Sequence, residues 1–277
     1  MSRAVSSPPS VSVVVPTYRR PHVIQSVVDP LLDDPATTEV IVVVDGCPDG
    51  SLETVERLAA DRPRLRAVYI ENSGDMAARD AGARAATGDV VLFVDDDVVA
   101  SPGLVSGHAA RHAGEGPPRI VLGYMPMELG APSAENVAGR VYAREYEGRC
   151  VHYEEDPLSP VRDLWGGNFS MPREAGLSIG LANPRFTEHY HADRDFGIRC
   201  LDAGLTGVFD RSLHATHRHR HTLDAFVRDA ASMGAARVLT AALHPDVATL
   251  DADDFTRNLP GPLAALVRAG RRPRAYA

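Results

Sequence analysis

The chain has 277 residues, with 44% hydrophobic and 24% charged content and a formal net charge of −8. That balance describes a globular chain large enough for one big domain or two small ones, and the negative charge argues against electrostatic nucleic-acid binding. No apolar stretch reaches membrane-spanning length, so no transmembrane segment is expected, and Met1 to Ser10 lack the apolar core of a secretory signal. Cys47, Cys150 and Cys200 are odd in number without metal spacing, as expected of a reduced, cytoplasmic protein. All 29 basic residues are arginine, a residue that pairs bidentately with phosphates.

In chain order, the first half alternates strands with helices. Val11 to Val15 is a β-branched run stopped by Pro16, and His22 to Leu32 has helical spacing. Val40 to Val44 reads as a second buried strand, ending on Asp45-Gly46. Ser51 is placed to cap a helix with apolar positions at Val55, Leu58 and Ala59. Leu65 to Ile70 makes a third strand, followed by an alanine-rich helix from Met76 to Ala86. After Gly88, the short uncharged run through Val94 has the look of a strand buried on both faces. Repeated β-α units of this kind predict an α/β protein with a mainly parallel, doubly wound sheet.

The run stops on three carboxylates, Asp95, Asp96 and Asp97. Adjacent carboxylates repel one another inside a strand, whereas at its end they can hold a divalent cation, a hard ion that prefers oxygen ligands. A solvated acidic turn is the plain alternative. Pro16 to Tyr18, Asp45 and the triplet all fall at C-terminal strand ends, where open α/β sheets bind ligands.

The second half is less regular. Residues 113–118 and 130–135 read as loops, and Ile120 to Tyr124 as a strand. Trp165-Gly166-Gly167-Asn168 sets the single tryptophan beside two glycines, as where a ligand or another strand approaches closely. Glu188 to Asp195 is dense in acids and histidines and leads into a helix ending at Gly204. A strand from Thr206 to Phe209 precedes His214, His217, His219 and His221, and a helix starts at Thr222.

In this order, the pieces make residues 11–242 resemble a family 2 glycosyltransferase of the GT-A fold. The resemblance rests on Val-Val-Pro-Thr-Tyr at 14–18, Val-Val-Asp-Gly at 43–46, Asn72-Ser-Gly74 and Ala78-Arg79-Asp80-Ala-Gly82, then Asp95 to Asp97. It continues through Gly166-Gly167-Asn168, Ala192 to Arg199, Ala203-Gly204 and Ala215-Thr-His217. It implies a Rossmann-like, mainly parallel sheet flanked by helices, with a smaller mixed acceptor-side sheet and C-terminal helices. The organisation it implies is a flexible N-terminus 1–10, a nucleotide-sugar-binding half 11–125, an acceptor-binding and catalytic half 126–245 of the same domain, and a C-terminal extension 246–277.

The resemblance also implies the chemistry: transfer of one sugar from a nucleotide-diphosphate sugar to an acceptor with inversion, the donor UDP-linked or carrying another pyrimidine, with guanosine left open as its base. Pro16, Thr17, Tyr18, Asp45, Gly74, Arg79, Asp95 and Asp96 would bind the donor. Thr17 and Tyr18 would offer hydroxyls and an aromatic face to the base, Asp45 would accept from a pyrimidine N–H, and Arg79 would meet diphosphate oxygens. Trp165, Gly166, Gly167 and Asn168 would line the acceptor and sugar pocket. Asp97 would coordinate a divalent metal, Mn²⁺ or Mg²⁺, whose Lewis acidity neutralises the leaving diphosphate. His217 would add an imidazole ligand, which favours Mn²⁺. Asp193 would be the catalytic base, with Asp195 and Glu188 as the nearest substitutes.

Three positions depart from the family pattern: Ala192 in place of a glutamate, Val44 where many relatives carry Asp, and Asp80 where asparagine is usual. Neither membrane helices nor the Gln-x-x-Arg-Trp motif of processive synthases is present, which favours single addition. Two other classes stay open, a sugar-nucleotide-binding protein that has lost catalysis (motivated by Ala192) and a nucleotidyltransferase. The latter should carry a Gly-rich basic loop where this chain has Pro16-Thr17-Tyr18. The acceptor, whether small molecule, lipid carrier, peptide or glycan, is left unspecified. Residues 211–221, with Arg211, Arg218 and Arg220 among histidines, are expected to form a mobile lid over the diphosphate. Arg268, Arg271, Arg272 and Arg274 are assigned to solvent, or to an anionic membrane surface if the acceptor is a lipid, giving a membrane-peripheral location.

Overall fold

Alternation within three valine-rich strands decides the architecture. In β1 (Val11–Thr17), β2 (Thr37–Asp45) and β4 (Val90–Val94) nearly every residue is buried, although successive side chains point to opposite faces. Val13, Val15, Val40, Val42, Leu92 and Val94 enter one core, while Val14, Ile41, Val43, Val91 and Phe93 enter another. A sheet that is apolar on both faces needs helices on both. α1 (Ile24–Asp33) covers the first face through Ile24, Val27, Val28 and Leu31, and α2 (Ser51–Ala59) through Val55 and Leu58. α3 (Asp75–Ala85) covers the second face, and Gly82 lets it sit close. A Cβ at Gly82 would stand 2.3 Å from Val14 Cγ1.

The computed structural model describes residues 8–46, 48–114, 116–131, 133, 136–186, 190–218 and 223–247. Cys47, Glu188, His219, Arg220, His221, most of the expected N-terminal segment and residues 248–277, with their arginines, lie outside the described residues. The sheet order is β3-β2-β1-β4-β7-β6-β8-β5, where β3 is Leu65–Ile70, β5 Val98–Ala100, β6 Arg119–Tyr124, β7 Asn168–Pro172 and β8 Thr206–His217. The first four strands are parallel; β7 is antiparallel to β4 and β6, β6 and β8 are parallel, and β5 is antiparallel to β8. The remaining described helices are α4 (Leu104–His112), α5 (Val137–Glu155), α6 (Ser159–Arg162), α7 (Arg173–Ile179), α8 (Ala192–Asp202) and α9 (Leu223–Leu243). None of the described helices is long and apolar enough to cross a membrane.

Several local expectations change. β1 does not stop at Pro16 but runs to Thr17, with Pro16 opposite Val43. The proline, which has no N–H to give, lies beyond the last β1–β4 pair, Val14↔Phe93. Ser51 is the first residue of α2 rather than its cap; Gly50 holds the cap position at φ +87°, and Asp49 accepts from Ser51 N at 3.1 Å. β8 continues to His217, so residues 211–217 are strand rather than lid. Arg211 turns away to Glu147 and Glu154 on α5. α4, α5 and β5 had no counterpart in the sequence reading.

Candidate active site

From Val94 the chain turns through the triplet into β5, closed by Val98 N donating to Asp95 O at 3.0 Å. Successive side chains therefore diverge. Asp95 meets Arg79 Nη2 at 2.5 Å. Asp96 points inward, accepting from Thr17 Oγ1 at 2.8 Å and Arg20 Nη1 at 2.9 Å. Burial raises its pKa to about 6, with Arg20 opposing and Asp97 adding. Thr17 is itself 3% exposed, so its hydroxyl ties β1 to the triplet rather than facing a nucleobase. Tyr18 is exposed at the rim, with the Arg19 guanidinium 5.0 Å from its ring.

Asp97 has Arg20 Nη1 at 2.6 Å from Oδ2 and His217 Nε2 at 3.3 Å from Oδ1. Strand register sets the second contact, because β5 and β8 pair Val98 with His217. His217 N donates to Pro126 O at 3.0 Å, its O accepts from Glu128 N at 2.9 Å, and Arg218 N donates to Asp97 O at 2.7 Å. Tyr142 of α5 stands edge-on to His217 and Trp165, at 5.6 and 5.4 Å between ring centres. Burial raises the pKa of the Tyr142 phenol, and the Asp95 and Asp97 charges add to it. Neither Tyr142 nor Arg20 was singled out from the sequence.

Arg79 is the most enclosed cation of the site, 2% exposed, and pairs with Asp75 as well as Asp95. Burial works against its charge, but Asp75, Asp95 and Asp193 more than offset it and raise its pKa. Its Nε has no hydrogen-bond partner among the described residues. Asp193, in the first turn of α8, accepts from Gly166 N through Oδ2 and from Arg194 N through Oδ1, both at 2.8 Å. Burial raises its pKa against those two N–H groups and the Arg79 charge. The segment 165–168 threads past these groups because two of its residues lack a Cβ. At Gly167 (φ +122°) a Cβ would lie 2.8 Å from Asp95 Oδ2 and from Met125 Sδ, and at Gly166 it would lie 3.2 Å from Arg79 Nη2.

Other expected site residues face elsewhere. Asp45 is buried, and its two oxygens accept from Ser73 N at 2.7 Å and Gly74 N at 2.9 Å. It therefore clamps the turn in which Gly74 (φ +89°) caps α3. Asn168 is 1% exposed, donates to Leu213 O at 3.1 Å and contacts His108 Nε2 at 3.0 Å. It joins β7 to β8 and α4. Asp195 is fully buried between Asn183, Arg199 and His244 at 3.1, 2.9 and 2.8 Å. Ala192 packs in the second core with Leu164 and Phe196.

Residues 12–175 match the family model described as glycosyl transferase family 2. Validoxylamine A glucosyltransferase of Streptomyces hygroscopicus subsp. limoneus is 37% identical over 128 residues, covering 44% of this chain and 28% of that protein. The chain thus spans under a third of that relative's length. Among solved structures, the mannosyltransferase PcManGT from Pyrobaculum calidifontis, in complex with GDP-Man and Mn²⁺, superposes with a TM-score of 0.57 at 16% identity, over 96% of this chain and 80% of that one. Glucosyl-3-phosphoglycerate synthase from Mycobacterium tuberculosis, in complex with Mn²⁺, UDP and phosphoglyceric acid, gives 0.57 at 21% identity over 88% and 80%. These likenesses carry the GT-A fold.

Proposed function

The chain belongs to glycosyl transferase family 2, a family of glycosyltransferases, and on that premise we propose that it transfers a single sugar from a UDP-linked donor to an acceptor, with inversion and metal assistance. One observation carries the reading. Asp97 with His217, Asp95 with Arg79, and Asp193 with Gly166 converge at the C-terminal edge of the parallel strands.

The residues fit a divalent cation in that a carboxylate oxygen and an imidazole face each other 3.3 Å apart, with Arg20 on the other Asp97 oxygen. No three acidic, histidine or cysteine side chains form a metal cluster among the described residues, so a cation held by Asp97 and His217 would need its other ligands from the donor. Bound there, the cation would act as a Lewis acid toward the leaving diphosphate. Mn²⁺ or Mg²⁺ with the nucleotides of the structural neighbours supports this choice.

Arg79, enclosed and paired with Asp75 and Asp95, fixes the Asp95 carboxylate at the strand end. Asp193, with its pKa raised and its orientation set by Gly166 N–H, is suited to take the acceptor's proton. The alanine at 192 removes no carboxylate from this arrangement, because that side chain belongs to the core; this favours an active enzyme over a binding protein. Incubating the protein and Mn²⁺ with a panel of sugar nucleotides, and scoring donor hydrolysis without acceptor, tests the assignment. Cleavage of a uridine donor that EDTA stops is expected, and hydrolysis of none would overturn it.

A further inference from the structure

A second concentration of charge lies where α5, α6, α8 and α9 meet, and it is cationic. At its centre is Asp163, 7% exposed, with Arg162 at 2.9 Å, Arg194 at 3.0 Å, Arg149 at 3.6 Å and the His152 imidazole at 3.5 Å. Asp156 takes a share of Arg162 at 2.9 Å. Asp163, Asp156 and Glu145, whose charge acts on Arg149, stand against Arg149, Arg162, Arg194 and Arg237, which leaves a net positive charge. Burial lowers the pKa of Arg194, and the charges of Arg149, Arg237 and Arg162 lower it further against Asp163. Burial, with Arg194, Arg237 and Arg149, pushes His191 down to about 4.

Two donors or acceptors in this cluster are also left over. Arg194 Nε and His191 Nδ1 are buried without a hydrogen-bond partner among the described residues. Such atoms cost free energy until something bonds to them. His191 is the N-cap of α8, at φ +61° and with no side-chain cap, while Asp193 and Asp195 in the first turn offset the positive end of that helix. The cluster stays open to solvent, with the Arg149 side chain 38% exposed and that of Arg194 22%.

Its position gives the charge a use. Arg194 directly follows Asp193. Arg149 lies seven residues beyond Tyr142 on one side of α5, two turns or about 10 Å along the axis, and Tyr142 touches both Trp165 and His217. A molecule presenting a hydroxyl to Asp193 would reach this cluster with its other end. Arginine's planar fork matches carboxylate and phosphate oxygens. We propose that the acceptor carries a phosphate or carboxylate group, and that Arg149 and Arg194 bind it. This rests on the reading of Asp193 as the base at the acceptor side.

The test is calorimetry with inorganic phosphate titrated into protein already saturated with UDP and Mg²⁺, so that the donor's own phosphate contacts are filled. Wild type is expected to bind phosphate, with Arg149→Gln and Arg194→Gln each weakening it at least about tenfold, while UDP affinity stays the same in all three. A parallel arm uses phosphatidylglycerol vesicles against phosphatidylcholine ones. Arg149-dependent binding to the former would place the same anionic group on a lipid acceptor and supports the proposal. Phosphate and vesicle binding that are both absent, or both indifferent to the two substitutions, would overturn it while normal UDP binding leaves the donor reading standing. Failure of UDP itself to bind would reject the donor reading and this proposal together.

Discussion

Asp97 and His217 face each other at 3.3 Å because β5 and β8 are paired in the register that sets Val98 against His217. His217 is placed by β8, and Asp97 by the tight turn that leads into β5. Asp97→Asn keeps the shape of the side chain and removes its charge, which also releases Arg20. Turnover is expected to fall about 10²-fold, with UDP affinity in Mn²⁺ reduced and thermal stability nearly unchanged. Transfer assays with and without EDTA, beside calorimetry of UDP binding, check this. Full activity in EDTA would sink the metal assignment.

Two neighbouring carboxylates on α8 should separate cleanly by measurement. Asp193→Asn should lose about 10²–10⁴-fold in turnover with the fold intact, as removal of a positioned base does. Asp195→Asn breaks a buried pair with Arg199 and loosens Asn183 and His244, so its cost should be stability, about 3 kcal/mol by urea unfolding. An Asp195→Asn protein that is dead but fully stable would show the roles to be exchanged. A product with retained anomeric configuration would reject Asp193 as a base in an inverting reaction.

What the sequence made legible follows from how each signal arises. β1, β2 and β4 were readable because strands buried on both faces become unbroken apolar runs, and the triplet stood out where such a run ended. Direction was not readable. Thr17, Asp45 and Asn168 have the polar types a ligand pocket needs, yet each bonds within the protein: Thr17 to the Asp96 carboxylate, Asp45 to the Ser73–Gly74 turn, Asn168 to Leu213 O. α5 was missed because its buried face is built from Tyr146, Cys150 and Tyr153 among charged residues, a weak periodic signal. Tyr142 was missed with it. Arg20 carried no local signal at all, since its partners lie more than 70 residues away.

Glu39 ties three strands at the edge of the sheet. It accepts from Ser12 Oγ at 2.8 Å, Thr87 N and Oγ1 at 2.7 Å, and Arg66 Nε at 2.8 Å. Burial works against its charge, but the Arg66, Thr87 and Ser12 donors outweigh it and bring the pKa from 4.5 to about 2. A carboxyl depressed in the folded state contributes stability above its unfolded pKa, and that contribution is lost as pH falls toward the folded one. Glu39→Gln should therefore cost about 2 kcal/mol at pH 7, with the gap to wild type closing between pH 4.5 and about 2. Urea melts across that range check it. A gap independent of pH would mean that the loss comes from packing.

Gly167 offers a test of how tightly the chain packs against Asp95. Its φ of +122° is unfavourable for a side chain, and a Cβ there would press on Asp95 Oδ2 and Met125 Sδ at 2.8 Å. Met125 can swing aside, being unbranched. Asp95 cannot move without leaving Arg79. Gly180 is the matched control, with φ +78° and nothing within 4 Å of an added Cβ. Both alanine substitutions should cost backbone strain of about 1–3 kcal/mol. Only Gly167→Ala should also displace Asp95 and lower kcat, by about 10²-fold for a misplacement near 1 Å. Thermal melts and transfer rates on the two variants separate strain from displacement. Equal turnover in both would mean that Asp95 tolerates the shift and that its contact with Arg79 does not set the rate.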